Sequence, residues 1–300
     1  MNERVYFHIG LPKTATTSLQ FDYFPYVDNE NFLYLGVTQP RGKYENDSLY
    51  DLIFKAIYSG RGIKKASQSI YERIEKEKKS LIISDEIFTV SIGDISWRKK
   101  VKRIGELVKP LNYRILVTVR EPASAMHSFY IERYQKFRNE SKAFVDLALS
   151  KEDFEIYKYE EFFKYLDLNF EKKNVYCQAF ENILIGDFDR VSDFLGYPEM
   201  ESGYSSIKNR NIKNRSSDKV SVPVNFNLNW IPWLYRSIGG ERNVVARFVK
   251  SYFNPFFQKL RRTSFRSVEV PTLKAQDSNF IKEKLTGDIK ELSERFGVKY

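Results

Sequence analysis

The sequence predicts an α/β fold with a central parallel sheet covered by helices, on two observations. Short runs of apolar, β-branched and aromatic residues end in turn-forming or polar residues, as buried strands do. Between them lie longer stretches with helical spacing of apolar residues, and strands alternating with helices imply parallel pairing.

The first run, "RVYFHI", is closed by Gly10 and Pro12 and reads as a strand delivering its C-terminal end into a loop. A helix is expected to begin near Thr16 or Thr17. "DLIFKAIY" and "IKKASQSIYERIEKEKK" then have helical periodicity, and "SLIIS" at Ser80 to Ser84 is a second buried strand. "WRKKVKRIGELVK" is a helix stopped by Pro110, and "YRILVTV" from Tyr113 to Val119 is a third strand. "PASAMHSFYIERYQKF" follows as a helix with Pro122 at its first position. "NVYCQAF" from Asn174 to Phe180 supplies a fourth strand. The polar, basic segment Ser205 to Lys219 lacks periodicity and reads as a loop or linker, and "NFIKEKLTGDIKELSERF" is a terminal helix.

Composition bounds the function. Three hundred residues, 42% hydrophobic and 16% aromatic, can build a large core, so disorder is not expected. A formal charge of +10 favours anionic partners such as nucleotides, acidic glycans, nucleic acid or anionic membrane, without choosing among them. Cys177 is the only cysteine, which excludes an intramolecular disulfide and leans toward a reducing compartment. "MNERVYFHIG" lacks the pattern of a secretory signal, and no run of apolar residues is long enough to span a membrane. The expectation is a soluble, cytoplasmic protein without a transmembrane segment.

"HIGLPKTATTSLQ" is the densest motif. A strand, a tight turn and a helix start make an anion site, because unpaired N–H groups and the helix dipole face the ligand. Gly10 lets the chain turn, Pro12 stiffens it, Lys13 adds a charge, and Thr14, Thr16, Thr17 and Ser18 add hydroxyls. The Walker A pattern G-x-x-x-x-G-K-[ST] is not met, since Ala15 and Thr16 stand where its second glycine and lysine belong. A second motif, "VTVREPASAMHSFY", ends a strand in Arg120 and places Ser128 eight positions later on the following helix. Arginine grips phosphate in bidentate fashion, and one loop plus two helical turns can return Ser128 beside it.

These two motifs, in this order, resemble the sulfotransferases that use 3'-phosphoadenosine 5'-phosphosulfate (PAPS), whose first strand ends in a P-K-[TS]-G-T-T-[SW]-L type loop. The resemblance spans about residues 5 to 217, with Ala15 in place of the usual glycine. It implies a P-loop-like three-layer fold as a single domain over 1–300, with a nucleotide-binding core to about 220 and a mostly helical part from 221 to 300. It implies that Gly10, Pro12, Lys13, Thr14, Ala15, Thr16, Thr17 and Ser18 cradle the phosphosulfate, Lys13 contacting the bridging oxygen. Arg120 and Ser128 would hold the 3'-phosphate, with Arg210, Lys213, Asn214 and Arg215 as further candidates after "VSDFLGYPEM".

Transfer to an alcohol also requires a base. "LIISDEIF" places Asp85 and Glu86 just past a strand, on the sheet edge where ligands bind. The S-x-E pattern of the glycan-modifying members selects Glu86, with Asp85 as the competing carboxylate, and His8 is a further candidate site residue, as hydrogen-bond donor or loop support. The expected reaction is transfer of a sulfuryl group from PAPS to a hydroxyl-bearing acceptor, a carbohydrate or glycoconjugate, without a metal. The rivals are a nucleotide kinase or triphosphatase, disfavoured by the missing G-K-[ST], and a polyanion-binding module, for which no nucleic-acid motif appears. The plainer alternatives are a solvated Lys13, an Arg120 paired with Glu121 or Glu132, and a Glu86 that only caps a helix. "WRKKVKR" and "KLRRTSFR" read as solvated basic faces.

Overall fold

The structure, a computed structural model, describes residues 4–39, 41, 43–138, 140, 143–196, 219–225 and 264–300. Arg210, Lys213, Asn214 and Arg215 lie outside the described residues. The chain divides into two compact units, one comprising the described residues within 1–129, 143–212 and 275–300, the other those within 130–142 and 213–274.

The larger unit is built on five strands: β1 (Val5–His8), β2 (Phe32–Tyr34), β3 (Ser80–Ser84), β4 (Tyr113–Val119) and β5 (Val175–Ala179). They lie in the order β2-β3-β1-β4-β5 and every pair is parallel. This is the α/β arrangement with a central parallel sheet that the alternation of elements predicts, and it agrees with the P-loop-like three-layer fold that the resemblance implies. Among the described residues the helices are α1 (Thr16–Asp22), α2 (Ser48–Ser59), α3 (Ile63–Glu77), α4 (Trp97–Val108), α5 (Pro122–Glu132), α6 (Tyr134–Phe137), which belongs to the smaller unit, α7 (Phe144–Ser150), α8 (Tyr159–Asp167), α9 (Phe180–Leu184), α10 (Asp189–Leu195), α11 (Ala275–Lys284) and α12 (Thr286–Phe296).

Both sheet faces are covered, which explains why the strands read as continuous apolar runs rather than alternating ones. On one face Tyr6, Ile82 and Leu116 pack with Leu19 and Tyr23 of the first helical segment and with Val191, Phe194 and Leu195 of α10. The alternate residues Val5, Phe7, Leu81, Ile83, Ile115 and Val117 are wholly buried too. A register slip of one residue would exchange these two sets, so the pairing is strongly specified. The C-terminal helix α12 is pinned to α8: Arg295 grips Asp167 with bonds of 2.6 and 3.0 Å, and Asp288 Oδ1 accepts the Glu160 amide at 2.8 Å.

Local sequence accounts for the helix ends. Asp47 caps α2 by accepting the Leu49 amide at 2.8 Å, and Ser96 caps α4 by accepting the Lys99 amide at 3.3 Å. The helix expected over residues 122–137 is interrupted at Arg133 (φ −97°, ψ 15°), and the terminal helix is interrupted at Leu285 (φ −106°, ψ 26°). In the smaller unit β6 (Lys219–Asn225) pairs antiparallel with β7 (Ser264–Pro271), with Val222 and Val270 buried. The segment read as mostly helical therefore also holds two strands.

Candidate active site

The geometry converges at the C-terminal edge of the sheet. In the order β3-β1-β4, the chain leaves β1 between two neighbours reached by connections on opposite sides, the switch point where open α/β sheets bind ligands. The loop after β1, the carboxylates after β3 and Arg120 after β4 all emerge there.

The loop is folded by its own small residues. A Cβ on Gly10 would stand 2.3 Å from Thr16 Oγ1 and 2.7 Å from both His8 Nε2 and Thr118 Oγ1, so only glycine fits. Thr14 Oγ1 donates to the Leu11 carbonyl at 2.6 Å and lies 2.7 Å from Thr118 Oγ1, while Thr16 Oγ1 donates to the same carbonyl at 3.3 Å. Those two hydroxyls therefore staple the loop. Tyr157 Oη donates to the Pro12 carbonyl at 2.9 Å, and Arg120 Nη1 to the Lys13 carbonyl at 3.4 Å. Three consecutive carbonyls, groups that would repel an anion, are thus turned to donors of the fold. No side chain caps α1 at Ala15, and no acidic residue lies in its first turn. Lys13, Ala15 and Thr17 are half-buried, and Ser18 is buried.

Lys13 and Ala15 both adopt a left-handed backbone with φ of 68°. Ala15 occupies the helix N-cap in a conformation that glycine accepts without a Cβ penalty. Ala15→Gly is therefore expected to stabilise the protein by about 1 kcal/mol, once the greater freedom of glycine in the unfolded chain is subtracted. Urea unfolding of the two proteins checks this; a lower midpoint for the glycine variant would contradict it.

His8 lies beneath the loop, fully buried, with Nδ1 2.8 Å from Ser84 Oγ and Nε2 3.3 Å from Thr118 Oγ1. Gln20 donates to the Ser84 carbonyl and hydroxyl, both at 3.1 Å, and Gln39 to Gln20 at 2.7 Å. This buried polar chain joins the ends of β3, β1 and β4 to α1. Burial pushes the imidazole down to about 3, so His8 is neutral, and Thr118 links it to Thr14 of the loop. Between that value and the ordinary 6.5, the unfolded chain carries a proton that the native chain lacks. Stability is then lost as pH falls through this window, His8 contributing up to about 1.4 kcal/mol per pH unit. Unfolding free energies of wild type and His8→Gln between pH 7 and pH 4 should differ by this slope; parallel lines would contradict it.

The two carboxylates after β3 have different surroundings. Asp85 is fully buried and accepts from Arg41 Nη2 at 2.7 Å, Arg41 Nη1 at 3.4 Å, the hydroxyl of Tyr50 and the Ile87 amide at 3.0 Å. Its lone pairs are committed to holding Arg41 and the turn that follows. Glu86 opens that turn, a single 3₁₀ helix over Glu86–Thr89, and is half-buried. Thr89 Oγ1 ties the turn to the anion loop, donating to the Gly10 carbonyl at 3.1 Å and the Glu86 carbonyl at 2.9 Å.

Arg120 is fixed at the end of β4 by Tyr159. The Tyr159 hydroxyl accepts the Arg120 amide at 3.2 Å and donates to its carbonyl at 2.6 Å. Burial holds that phenol well above its usual range, so it remains a donor. The guanidinium lies over the Phe180 ring at 4.5 Å, a contact that keeps it flat and positioned. The neighbouring Glu121 caps α5, its oxygens accepting the Ala123 amide at 3.0 Å and the Ser124 amide at 2.8 Å. Ser128, on the same helix, is buried.

Arg41, Tyr50, Ser84, Thr118, Tyr157 and Tyr159 escape the sequence reading. They belong to the site through contacts between residues far apart in the chain, which no local pattern signals; only Thr118, a hydroxyl flanked by valines near the end of an apolar strand, stands out in retrospect. Among the described residues no group of three or more His, Cys, Asp or Glu side chains could hold a metal ion, and no helix is long and apolar enough to cross a membrane.

Among the solved structures similar to this chain are two of sulfotransferases. A sulfotransferase from Alicyclobacillus acidocaldarius is 15% identical over 68% of this chain and 89% of that one, with a TM-score of 0.40. The sulfotransferase domain from the curacin biosynthetic pathway is 13% identical over 66% of this chain and 75% of that one, also with a TM-score of 0.40. No family model and no curated protein sequence matches the chain.

Proposed function

We propose that this chain transfers the sulfuryl group of PAPS to a hydroxyl, the acceptor being a carbohydrate or glycoconjugate. The observation that carries the reading is the junction of the two sequence motifs: the arginine that ends β4 donates to the carbonyl of the loop lysine that follows β1, at 3.4 Å. That contact joins Arg120 to the loop after β1 at the switch point, which supports reading the two as one nucleotide site.

In this reading the loop from Gly10 and Pro12 through Ser18 receives the phosphosulfate. Its engaged carbonyls and its lysine suit an oxyanion ligand. Lys13 neutralises the charge that develops on the leaving bridging oxygen, and Arg120 with Ser128 receives the 3'-phosphate. Glu86 takes the acceptor proton as the acceptor oxygen bonds to sulfur and the bond from sulfur to the bridging oxygen breaks. Asp85 is the poorer base because its oxygens already hold four donors. Arg210, Lys213, Asn214 and Arg215 remain proposed contacts to the nucleotide.

Incubation of the purified chain with PAPS carrying labelled sulfate and a panel of neutral and acidic oligosaccharides, in the presence of a chelator, tests the reading. Label in a sugar product supports it. No label moved there, with magnesium-dependent turnover of ATP in a parallel incubation without chelator, would replace it by the kinase alternative.

A further inference from the structure

The turn that carries Glu86 rests on a residue for which the transfer reading has no use. "WRKKVKR" has the composition of a solvated basic face, and Lys99 and Lys102 are indeed exposed. Lys100 between them is only 1% exposed. Burying an amine is costly unless its protons are taken. Here they are: Nζ donates to the Ile87 carbonyl at 2.8 Å and to the Val90 carbonyl at 2.7 Å, and it faces the Tyr58 ring at 5.6 Å.

Those two carbonyls lie in and just after the 3₁₀ turn, the part of a short helix that its own bonds satisfy poorly. The bond that closes its C-terminal end is long, from the Val90 amide to the Ile87 carbonyl at 3.3 Å. Lys100 itself is a fixed post, since Trp97, Val101 and Ile104 on the same helix are almost wholly buried. The opposite end of the turn is held by Asp85 through the Ile87 amide, and its side by Thr89 through the Gly10 carbonyl. Phe54, Ile57, Tyr58 and Phe88 line the space around the amine. With the amine removed, apolar side chains would face both carbonyls and offer them no donor.

We propose that Lys100 is a positioning residue for the transfer: by holding the carbonyls of Ile87 and Val90 it fixes the turn that presents Glu86 beside the anion loop. The proposal rests on the reading of Glu86 as the base. Asp85 and Arg103 are the charged groups acting on the amine, the first favouring and the second opposing its charged form. Burial is the largest influence and pushes it down to about 8. A neutral amine still has two protons for two carbonyls, so the hold survives titration.

The test is Lys100→Met in the full chain, a change that keeps the apolar stem and deletes the donors. Four quantities are compared with wild type: amide hydrogen exchange over residues 87–90, affinity for adenosine 3',5'-bisphosphate, and the kcat and KM of transfer. Expected are local exchange about 10-fold faster, bisphosphate affinity unchanged within about two-fold, and kcat lower by about 10-fold to 100-fold, in the range of lost supporting contacts. The acid limb of the pH–rate profile, which reports the base, should also move. Unchanged exchange in the turn overturns the proposal, as does faster exchange with unaltered kcat. Should the methionine variant not fold, Lys100→Gln, with a shorter donor, should give intermediate exchange and intermediate kcat; wild-type values for both would overturn the proposal. A wild-type chain that moves no sulfuryl group defeats the transfer reading instead, and the exchange rates then decide whether Lys100 holds the turn.

Discussion

Glu86→Gln is expected to lower the transfer rate by about 100-fold to 10,000-fold, the usual contribution of a positioned general base, with bisphosphate affinity unchanged within about two-fold. The substitution keeps size and hydrogen-bonding shape but removes the site that accepts the acceptor's proton. Nucleotide binding should survive because the loop is held by other groups: Thr14 and Thr16 on the Leu11 carbonyl, Tyr157 on the Pro12 carbonyl and Arg120 on the Lys13 carbonyl. Single-turnover kinetics alongside a binding titration separate the two effects. Loss of nucleotide binding would show that Glu86 builds the site rather than works in it. Full activity would move the role to Asp85, whose committed oxygens would then need to exchange Arg41 or Tyr50 for the acceptor.

Arg120→Ala should weaken adenosine 3',5'-bisphosphate by about 10-fold to 100-fold, corresponding to the loss of charge-assisted hydrogen bonds worth about 1.5–3 kcal/mol. Adenosine 5'-phosphate, which lacks the 3'-group, should lose much less. That difference is the diagnostic, because the same side chain also donates to the Lys13 carbonyl and packs on Phe180. Equal losses for both nucleotides, with a lower melting temperature, would mean that Arg120 only braces the loop.

The parts of the site that were legible in the sequence are those written locally. The run from Gly10 to Ser18 states its turn and its lysine within nine residues, and the apolar runs before it and before Asp85 and Arg120 identify three central strands, because a strand buried on both faces leaves a continuous apolar signature. Strand β2, Phe32–Tyr34, is too short to give such a signal. Strand β6, KVSVPVN, does alternate, but Pro223 removes a ladder donor and argues against a strand when read alone. What local sequence does not carry is partnership at a distance: His8 with Thr118, 110 residues apart, and Asp85 with Tyr50, 35 apart. Lys100 illustrates the opposite trap. Its neighbours give a solvated composition, and only packing reveals the buried amine.

The measurement that bears most directly on the whole account is a calorimetric titration of the wild-type chain with adenosine 3',5'-bisphosphate, set against ATP with magnesium. The account predicts micromolar binding of the bisphosphate without metal, about −8 kcal/mol, and much weaker binding of ATP. Preference for magnesium-bound ATP, or no binding of either nucleotide, would contradict it.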